Sequence, residues 1–377
     1  MVRLGDVVKI EASSKSVVGD KFWLLNLDMV EQQTGNVIAY NYVGKDALNG
    51  SIIQFDTGCV LYSKLRPNLN KVVIPGQDGF ATSEMLPLRP NTKLLTREYL
   101  TAFLRSDNFV TWAVSKTAGA KMPRLGSKEL LGKEIPLPSI SEQTRIAGQL
   151  AKVEKLISLR KEQLAKLDQL VKSRFIELFG DPVSNPHGYP KVPLSELAEI
   201  RIGPFGSLLH KEDYIANGHA LINPSHIVAG KISVDNELTV SDEKFSEMSA
   251  YHLQIGDVVM GRRGEMGRCA VVHTDGLLCG TGSLLIRTKG DVTADYLQKI
   301  ISFPSFKKTI EDMAVGQTMP NLNVPIVSRF QIIKPPIEVQ KAYYTFIEQT
   351  DKSKLAIQQS LDKLELLKKS LMQEYFG

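Results

Sequence analysis

Ile135-Pro136-Leu137-Pro138-Ser139-Ile140-Ser141-Glu142-Gln143 and Ile332-Ile333-Lys334-Pro335-Pro336-Ile337-Glu338-Val339-Gln340 are two wordings of one segment. Ile135, Pro138, Ile140 and Gln143 return 197 residues later as Ile332, Pro335, Ile337 and Gln340. The same offset carries Gly119, Met122, Pro123 and Leu125 onto Gly316, Met319, Pro320 and Leu322, Tyr99-Leu100 onto Tyr296-Leu297, and Phe179-Gly180 onto Phe376-Gly377. Nearer the start the offset is 190, from Val2, Leu4, Val7 and Ile10 to Val192, Leu194, Leu197 and Ile200, so the second copy carries seven extra residues. A frame held over such distances marks an internal duplication. The copies diverge most in their middles, where the two halves are expected to do different things.

After each Pro-flanked segment comes a stretch without Pro and nearly without Gly, rich in the helix formers Leu, Lys, Glu and Gln. Ser141-Glu142-Gln143 supplies a polar helix start just past Pro138. The first stretch sets Ile146, Leu150, Val153, Ile157, Leu164, Leu167 and Val171 in a heptad seam interrupted by Arg160. The second sets Tyr343, Ile347, Ile357, Leu361, Leu364 and Leu371 in the equivalent frame, with Thr350, Lys354 and Lys368 as polar interruptions. Each helix is expected to run about 35–40 residues, roughly 55–60 Å. A helix of that length cannot bury its stripe alone. Two solutions stand open: a hairpin or dimerisation coil, or pairing of the two repeated helices within the chain. The order domain, helix, domain, helix favours an antiparallel pair, whereas a parallel pair would set Leu150 beside Ile347.

Residues 1–138 and 182–336 hold short β-branched and aromatic runs, as at 51–55, 60–62 and 257–260, broken by Gly, Asn, Asp and Pro. Helical pattern returns at 97–112 and 294–313. The fold class is therefore α+β: two β-rich domains separated by two long coiled-coil helices, at 139–181 and 337–377, in a pseudo-two-fold repeat.

One strand exit in each domain is basic. It reads Tyr62-Ser63-Lys64-Leu65-Arg66-Pro67-Asn68-Leu69-Asn70-Lys71 in the first and Gly261-Arg262-Arg263-Gly264-Glu265-Met266-Gly267-Arg268 in the second, with Gly58 and Gly256 keeping register. Arg offers a planar fork for guanine O6 and N7 or for a phosphate, and Lys a point charge for the backbone. Such a loop at a sheet edge suits a DNA groove, although solvated surface charge explains most such clusters. The segment Gly203-Pro204-Phe205-Gly206-Ser207-Leu208-Leu209-His210-Lys211 lets backbone amides approach a phosphate or forms a plain turn. Lys121, in Gly119-Ala120-Lys121-Met122-Pro123-Arg124, and Gln317 and Thr318, in Gly316-Gln317-Thr318-Met319-Pro320-Asn321, complete the candidate contacts, unless those loops are only hinges into the helices.

The bulk numbers agree with this reading without forcing it. With 377 residues, 43% of them hydrophobic and 23% charged, the chain is globular and makes two or three folding units. A net charge of +5 permits an anionic partner without demanding one. Cys59, Cys269 and Cys279 are isolated, which points to a reducing, cytoplasmic setting and no metal site. No apolar run approaches the roughly 20 residues of a membrane span. Catalytic motifs are missing too. Gly126-Ser127-Lys128-Glu129-Leu130-Leu131-Gly132-Lys133-Glu134 has the wrong spacing for a phosphate-binding loop, and Glu where Ser or Thr must hold magnesium. Asn223-Pro224-Ser225-His226 lacks the Asn-Pro-Pro-aromatic run of an amino-methyltransferase, and neither HExxH nor GxSxG occurs.

Two variable domains alternating with two similar helical regions, each entered through a Pro-containing linker, resemble the specificity subunit of type I restriction-modification enzymes along essentially the whole chain. The most specific pieces are Tyr62-Ser63-Lys64-Leu65-Arg66-Pro67, Gly203-Pro204-Phe205-Gly206-Ser207, Ile135-Pro136-Leu137-Pro138 and Glu142-Gln143; the second linker departs, with Glu338-Val339-Gln340 in place of adjacent Glu and Gln. The resemblance implies that each domain is a target recognition domain for one half of a bipartite, asymmetric double-stranded DNA site. It implies that the helices set the spacer and dock two methyltransferase subunits, through Leu150, Val153, Ile157, Leu164, Leu167, Ile347, Ile357, Leu361 and Leu364, and that restriction subunits can join. The chain itself would be non-catalytic, with S-adenosylmethionine on the methyltransferase subunits and ATP with magnesium on the restriction subunit. Candidate DNA contacts are Lys64, Arg66, Lys71, Lys121, Ser207, Lys211, Arg262, Arg263, Arg268, Gln317 and Thr318. The rival is a non-catalytic coiled-coil scaffold joining two interaction domains.

Overall fold

The computed structural model describes residues 1–15, 19–48, 50–119, 121–204, 208–314 and 321–377. They gather into two compact units, Met1–Leu164 with Ala356–Gly377, and Ala165–Leu355. Each unit holds one β-rich domain and a stretch of each long helix.

In the first domain the strands Val8–Ile10, Met85–Pro90, Val60–Ser63 and Val72–Val73 lie side by side in that order, all antiparallel. A second sheet orders Tyr42–Val43, Phe22–Leu25, Gly79–Thr82 and Ile52–Phe55, with Phe22–Leu25 parallel to Gly79–Thr82. Strand Val60–Ser63 is an unbroken buried run because it is covered on both faces. Val60 and Tyr62 face a core with Leu88, Tyr99 and Leu100, while Leu61 faces one with Trp23, Phe55 and Ala81. This is the two-residue alternation of a strand.

The second domain repeats the plan. Strands Ala198–Ile202, Ser283–Thr288, Asp257–Gly261 and Cys269–Val271 form the antiparallel sheet. Thr239–Val240, His219–Ile222, Leu277–Cys279 and His252–Leu253 form the mixed one, with His219–Ile222 parallel to Leu277–Cys279. Val258 and Met260 face one core and Val259 the other. The seven extra residues fall between Ile202 and His219, where the offset changes from 190 to 197, and there the strand Tyr214–Ile215 joins the sheet beside Thr239–Val240.

Each domain is closed by the Pro-flanked segment. Val2 pairs with Ile135, and Val192 with Ile332. Gln143 and Gln340 are fully buried. The Gln143 carboxamide accepts from the Thr96 amide at 2.9 Å and donates to the carbonyls of Leu94 and Pro138 at 2.7 and 2.9 Å. Gln340 accepts from the Thr293 amide at 2.9 Å and donates to Asp291 and Pro335 at 3.3 and 3.0 Å. Thr96 and Thr293 cap the short helices Arg97–Leu104 and Ala294–Ile301, whose Tyr99 and Tyr296 hydroxyls donate to the carbonyls of Pro136 and Ile333. The glutamine therefore ties the helix start to its domain, and Val339 is harmless where the first copy has Glu142.

The long helices span Ile140–Phe179 and Ile337–Phe376, 40 residues each. In the first unit Ile146 and Leu150 share a core with Met372 and Phe376, and Lys368 meets Glu154 at 2.8 Å while Lys161 meets Glu365 at 3.1 Å. In the second, Phe175 and Phe179 pack on Tyr343 and Lys354 meets Asp168 at 2.6 Å. Numbers rise along one helix as they fall along the other, so the pairing is antiparallel in both units. Leu150 has Met372, not Ile347, in its core.

Three of the four polar interruptions are matched where they sit in the seam, and the fourth, Arg160, donates from Nη1 to Gln163 on its own helix at 2.7 Å. Lys354 and Lys368 take carboxylates from the facing helix, and the Thr350 hydroxyl donates back to the Phe346 carbonyl at 2.8 Å.

Candidate nucleic-acid interface

The basic loop of the first domain follows strand Val60–Ser63. Its backbone is fixed by three bonds: the Lys64 amide donates to the Glu84 carbonyl at 3.0 Å, the Leu125 amide to the Lys64 carbonyl at 2.9 Å, and the Arg66 amide to the Pro123 carbonyl at 2.8 Å. Arg66 and Asn70 bracket the turn Pro67–Leu69 with left-handed backbone, φ 49° and 50°. That conformation costs a non-glycine residue roughly 1–2 kcal/mol, and the neighbouring bonds offset it. The Lys121 carbonyl accepts from the Arg66 guanidinium at 3.5 Å. Two stretches about 55 residues apart in sequence, holding Lys64, Arg66 and Lys121, thus form one basic surface. Beside it the Arg124 guanidinium grips both oxygens of Glu84, at 2.9–3.1 Å. Those hydrogen bonds, aided by the charge of Lys64, hold the Glu84 carboxyl below its ordinary range.

The second domain builds the same frame. The Arg262 amide donates to the Gly282 carbonyl at 3.0 Å and the Leu322 amide to the Arg262 carbonyl at 2.9 Å. The bridge Arg263 to Asn321 repeats the bridge Leu65 to Arg124. The side chains on the frame differ. Arg262 is buried and its Nε donates to Asn321 Oδ1 at 3.2 Å. Arg263 is exposed. Farther along, Glu265 is held by Lys307 at 2.9 Å and Arg268 at 2.7 Å, which pull its pKa down to about 2.

The family model for the type I restriction modification DNA specificity domain matches residues 1–169 and again 186–367. The chain belongs to that family. Both copies of the repeat are thus specificity domains, each matched with part of a long helix. The MjaVIII type I restriction enzyme specificity subunit of Methanocaldococcus jannaschii is 22% identical over 317 residues, covering 79% of this chain and 73% of that protein. A structure from work on assembly and conformational transition of the type I R-M system covers all of this chain and 96% of its own, at 18% identity and TM-score 0.64. The HsdS subunit from Thermoanaerobacter tengcongensis likewise covers all of this chain and 96% of its own, at 19% identity and TM-score 0.54. At such identities the structural likeness concerns the fold.

On the first specificity domain, Lys64, Arg66 and Lys121 come together at one edge. Lys71 is placed differently, its ammonium donating to the Leu27 carbonyl. On the second domain Arg263 is presented outward. Arg262 is turned inward onto Asn321, and Arg268 is engaged by Glu265 and by the Pro224 carbonyl at 3.1 Å. Lys211 is exposed in the turn Lys211–Asp213, within the inserted stretch. Ser207, Gln317 and Thr318 lie outside the described residues. Glu84 carries no signal in the sequence, and Arg124 and Asn321 show there only as the ends of candidate loops, because only the folded frame brings 84 and 124, or 262 and 321, side by side.

The helix residues expected to dock partners lie on the seam between the chain's own helices. Leu150, Val153 and Leu361 are buried, and Ile157, Leu164, Leu167, Ile347, Ile357 and Leu364 half-buried. The large apolar side chains turned outward are others: Ile140, Leu156, Leu159, Leu366 and Leu367 in the first unit, and Leu170, Ile176 and Leu355 in the second.

Proposed function

We propose that this chain is the DNA sequence-specificity subunit of a type I restriction-modification system, with each specificity domain reading one half of a bipartite, asymmetric double-stranded site. The observation that carries the reading is the repeated basic loop, the same backbone frame in both domains under different side chains. A surface that fixes its backbone and varies its side chains is what two readers of unlike sequences require. Lys64, Arg66, Lys121 and Arg263 supply phosphate or base contacts.

The antiparallel helices act as the spacer, and their outward leucines dock two methyltransferase subunits, to which restriction subunits can add. The chain has no catalytic site of its own. S-adenosylmethionine sits on the methyltransferase subunits, and ATP with magnesium on the restriction subunit. Among the described residues no helix is long and apolar enough to cross a membrane, and the assembly works in the cytoplasm, where its DNA is.

Methylome sequencing of cells with and without this chain tests the reading. A bipartite methylated motif that vanishes with the chain is expected, and a methylome unchanged by its loss would refute it. Removing one turn from each helix, four residues or about 6 Å, should shorten the preferred gap by roughly two base pairs. In a salt titration the affinity for DNA falls steeply as salt rises, in proportion to the phosphates neutralised, a dependence that a protein-joining scaffold would not show.

A further inference from the structure

Backbone hydrogen bonds align the two reading loops, with Lys64 and Glu84 standing 198 residues and Arg124 197 residues before their counterparts, and three positions on the shared frame carry unlike chemistry. Lys64, Glu84 and Arg124 in the first domain stand where Arg262, Gly282 and Asn321 stand in the second, as the matching amide bonds and bridges establish. In the first domain the Glu84 side chain is 22% exposed and that of Arg124 41%, with the carboxylate and guanidinium held together by three hydrogen bonds. In the second domain the guanidinium of Arg262 is withdrawn and props a half-buried carboxamide, Asn321.

The difference is enforced by packing. A Cβ at Gly282 would stand 2.9 Å from the Pro224 ring, so any side chain there, a carboxylate included, would have to displace that ring. Pro224 lies in the 197-residue frame opposite Leu27, so the first copy has no proline ring at the corresponding place.

Resting on the function proposed above, we infer that these clusters choose the base: Glu84 with Arg124 takes a C·G pair, and Asn321 braced by Arg262 takes an A·T pair in the other half-site. A carboxylate accepts from cytosine N4, and the arginine beside it donates to guanine O6 and N7, so the held pair mirrors the major-groove edge of C·G. A carboxamide complements the N6 donor and N7 acceptor of adenine. Lys64, Arg66 and Lys121 around the first cluster position the duplex through its phosphates.

The test is binding-site selection from a pool of randomised DNA duplexes, using the full chain alone and combined with methyltransferase subunits, as wild type, Glu84→Gln and Asn321→Ala. The expected result is that Glu84→Gln loses a C·G preference of roughly tenfold to a hundredfold at one position of one half-site. Asn321→Ala relaxes one A·T position in the other half. In each variant the untouched half-site serves as the control for folding. A uniform loss of affinity with unchanged base preferences, or no change at all, overturns this inference and leaves the specificity-subunit reading standing. A wild-type chain without any base preference overturns both.

Discussion

The knot around Gln143 and Gln340 and the loops around Lys64 and Arg262 lie in the same repeat, yet one is copied and the other rewritten. At the knot the glutamine, the capping threonine, the tyrosine and their hydrogen bonds recur in kind. At the loops only backbone bonds recur. Two kinds of constraint act at these two places. A buried carboxamide surrounded by backbone amide and carbonyl groups admits no substitute, because any change leaves polar groups unpaired. A side chain standing on a fixed strand exit can change without cost to the frame beneath it.

The largest effect is expected at the knot. Gln143→Leu strands the Thr96 amide and the Leu94 and Pro138 carbonyls, and should destabilise the first unit by about 3 kcal/mol or more, at roughly 1–3 kcal/mol per buried unpaired group. Gln340→Leu should do the same to the second unit. Urea unfolding followed in each variant checks this; a loss under 1 kcal/mol would mean that the knot is not a shared constraint.

Next comes acid. Burial alone would raise the Asp56 pKa, but hydrogen bonds from Arg89, the Gly58 amide and Ser13 outweigh it and bring it to about 2. A carboxyl with a lowered folded pKa adds stability above its unfolded value near 3.8 and loses it as pH falls toward 2. In the second domain Arg287 bonds to Asp257 instead, a carboxylate at a different place in the frame. Asp56→Asn should therefore flatten the dependence of the first unit's stability on pH between 4 and 2, read by thermal melts across that range.

A smaller effect is expected on the loop surface. Arg66→Ala should weaken binding to all DNA sequences alike and lower the slope of log affinity against log salt by about 1, as for the loss of one phosphate contact. A change confined to one base position would move Arg66 from the backbone contacts to the readers. The smallest effect belongs to the seam. Lys354→Met removes a partly exposed ion pair with Asp168 but adds apolar contact, so the change in stability should stay within about 1 kcal/mol. A larger loss would make that charged pair a determinant of helix register.

The duplication, the helices and their seam were legible in the sequence because each is a periodic or local pattern. Even Arg160, Thr350, Lys354 and Lys368 fall on the seam as the heptad frame requires. The sheets were legible only as strands. Pairing Phe22–Leu25 in parallel with Gly79–Thr82 joins segments more than fifty residues apart, and no local signal announces it. The candidate interface was half legible: a basic strand exit shows in the sequence, but not which cations the fold withdraws. Lys71, Arg262 and Arg268 have partners supplied by other segments, Leu27, Asn321 and Pro224. Glu84 went unnoticed because an acidic residue matters there only once Arg124 stands beside it.

Whether one frame carries two unlike readers is decided by selecting the sites that the wild-type chain binds from randomised duplex DNA. The expected result is two base-specific blocks of different sequence separated by a fixed gap. A single block, or two blocks that are the same sequence read on opposite strands, would contradict it.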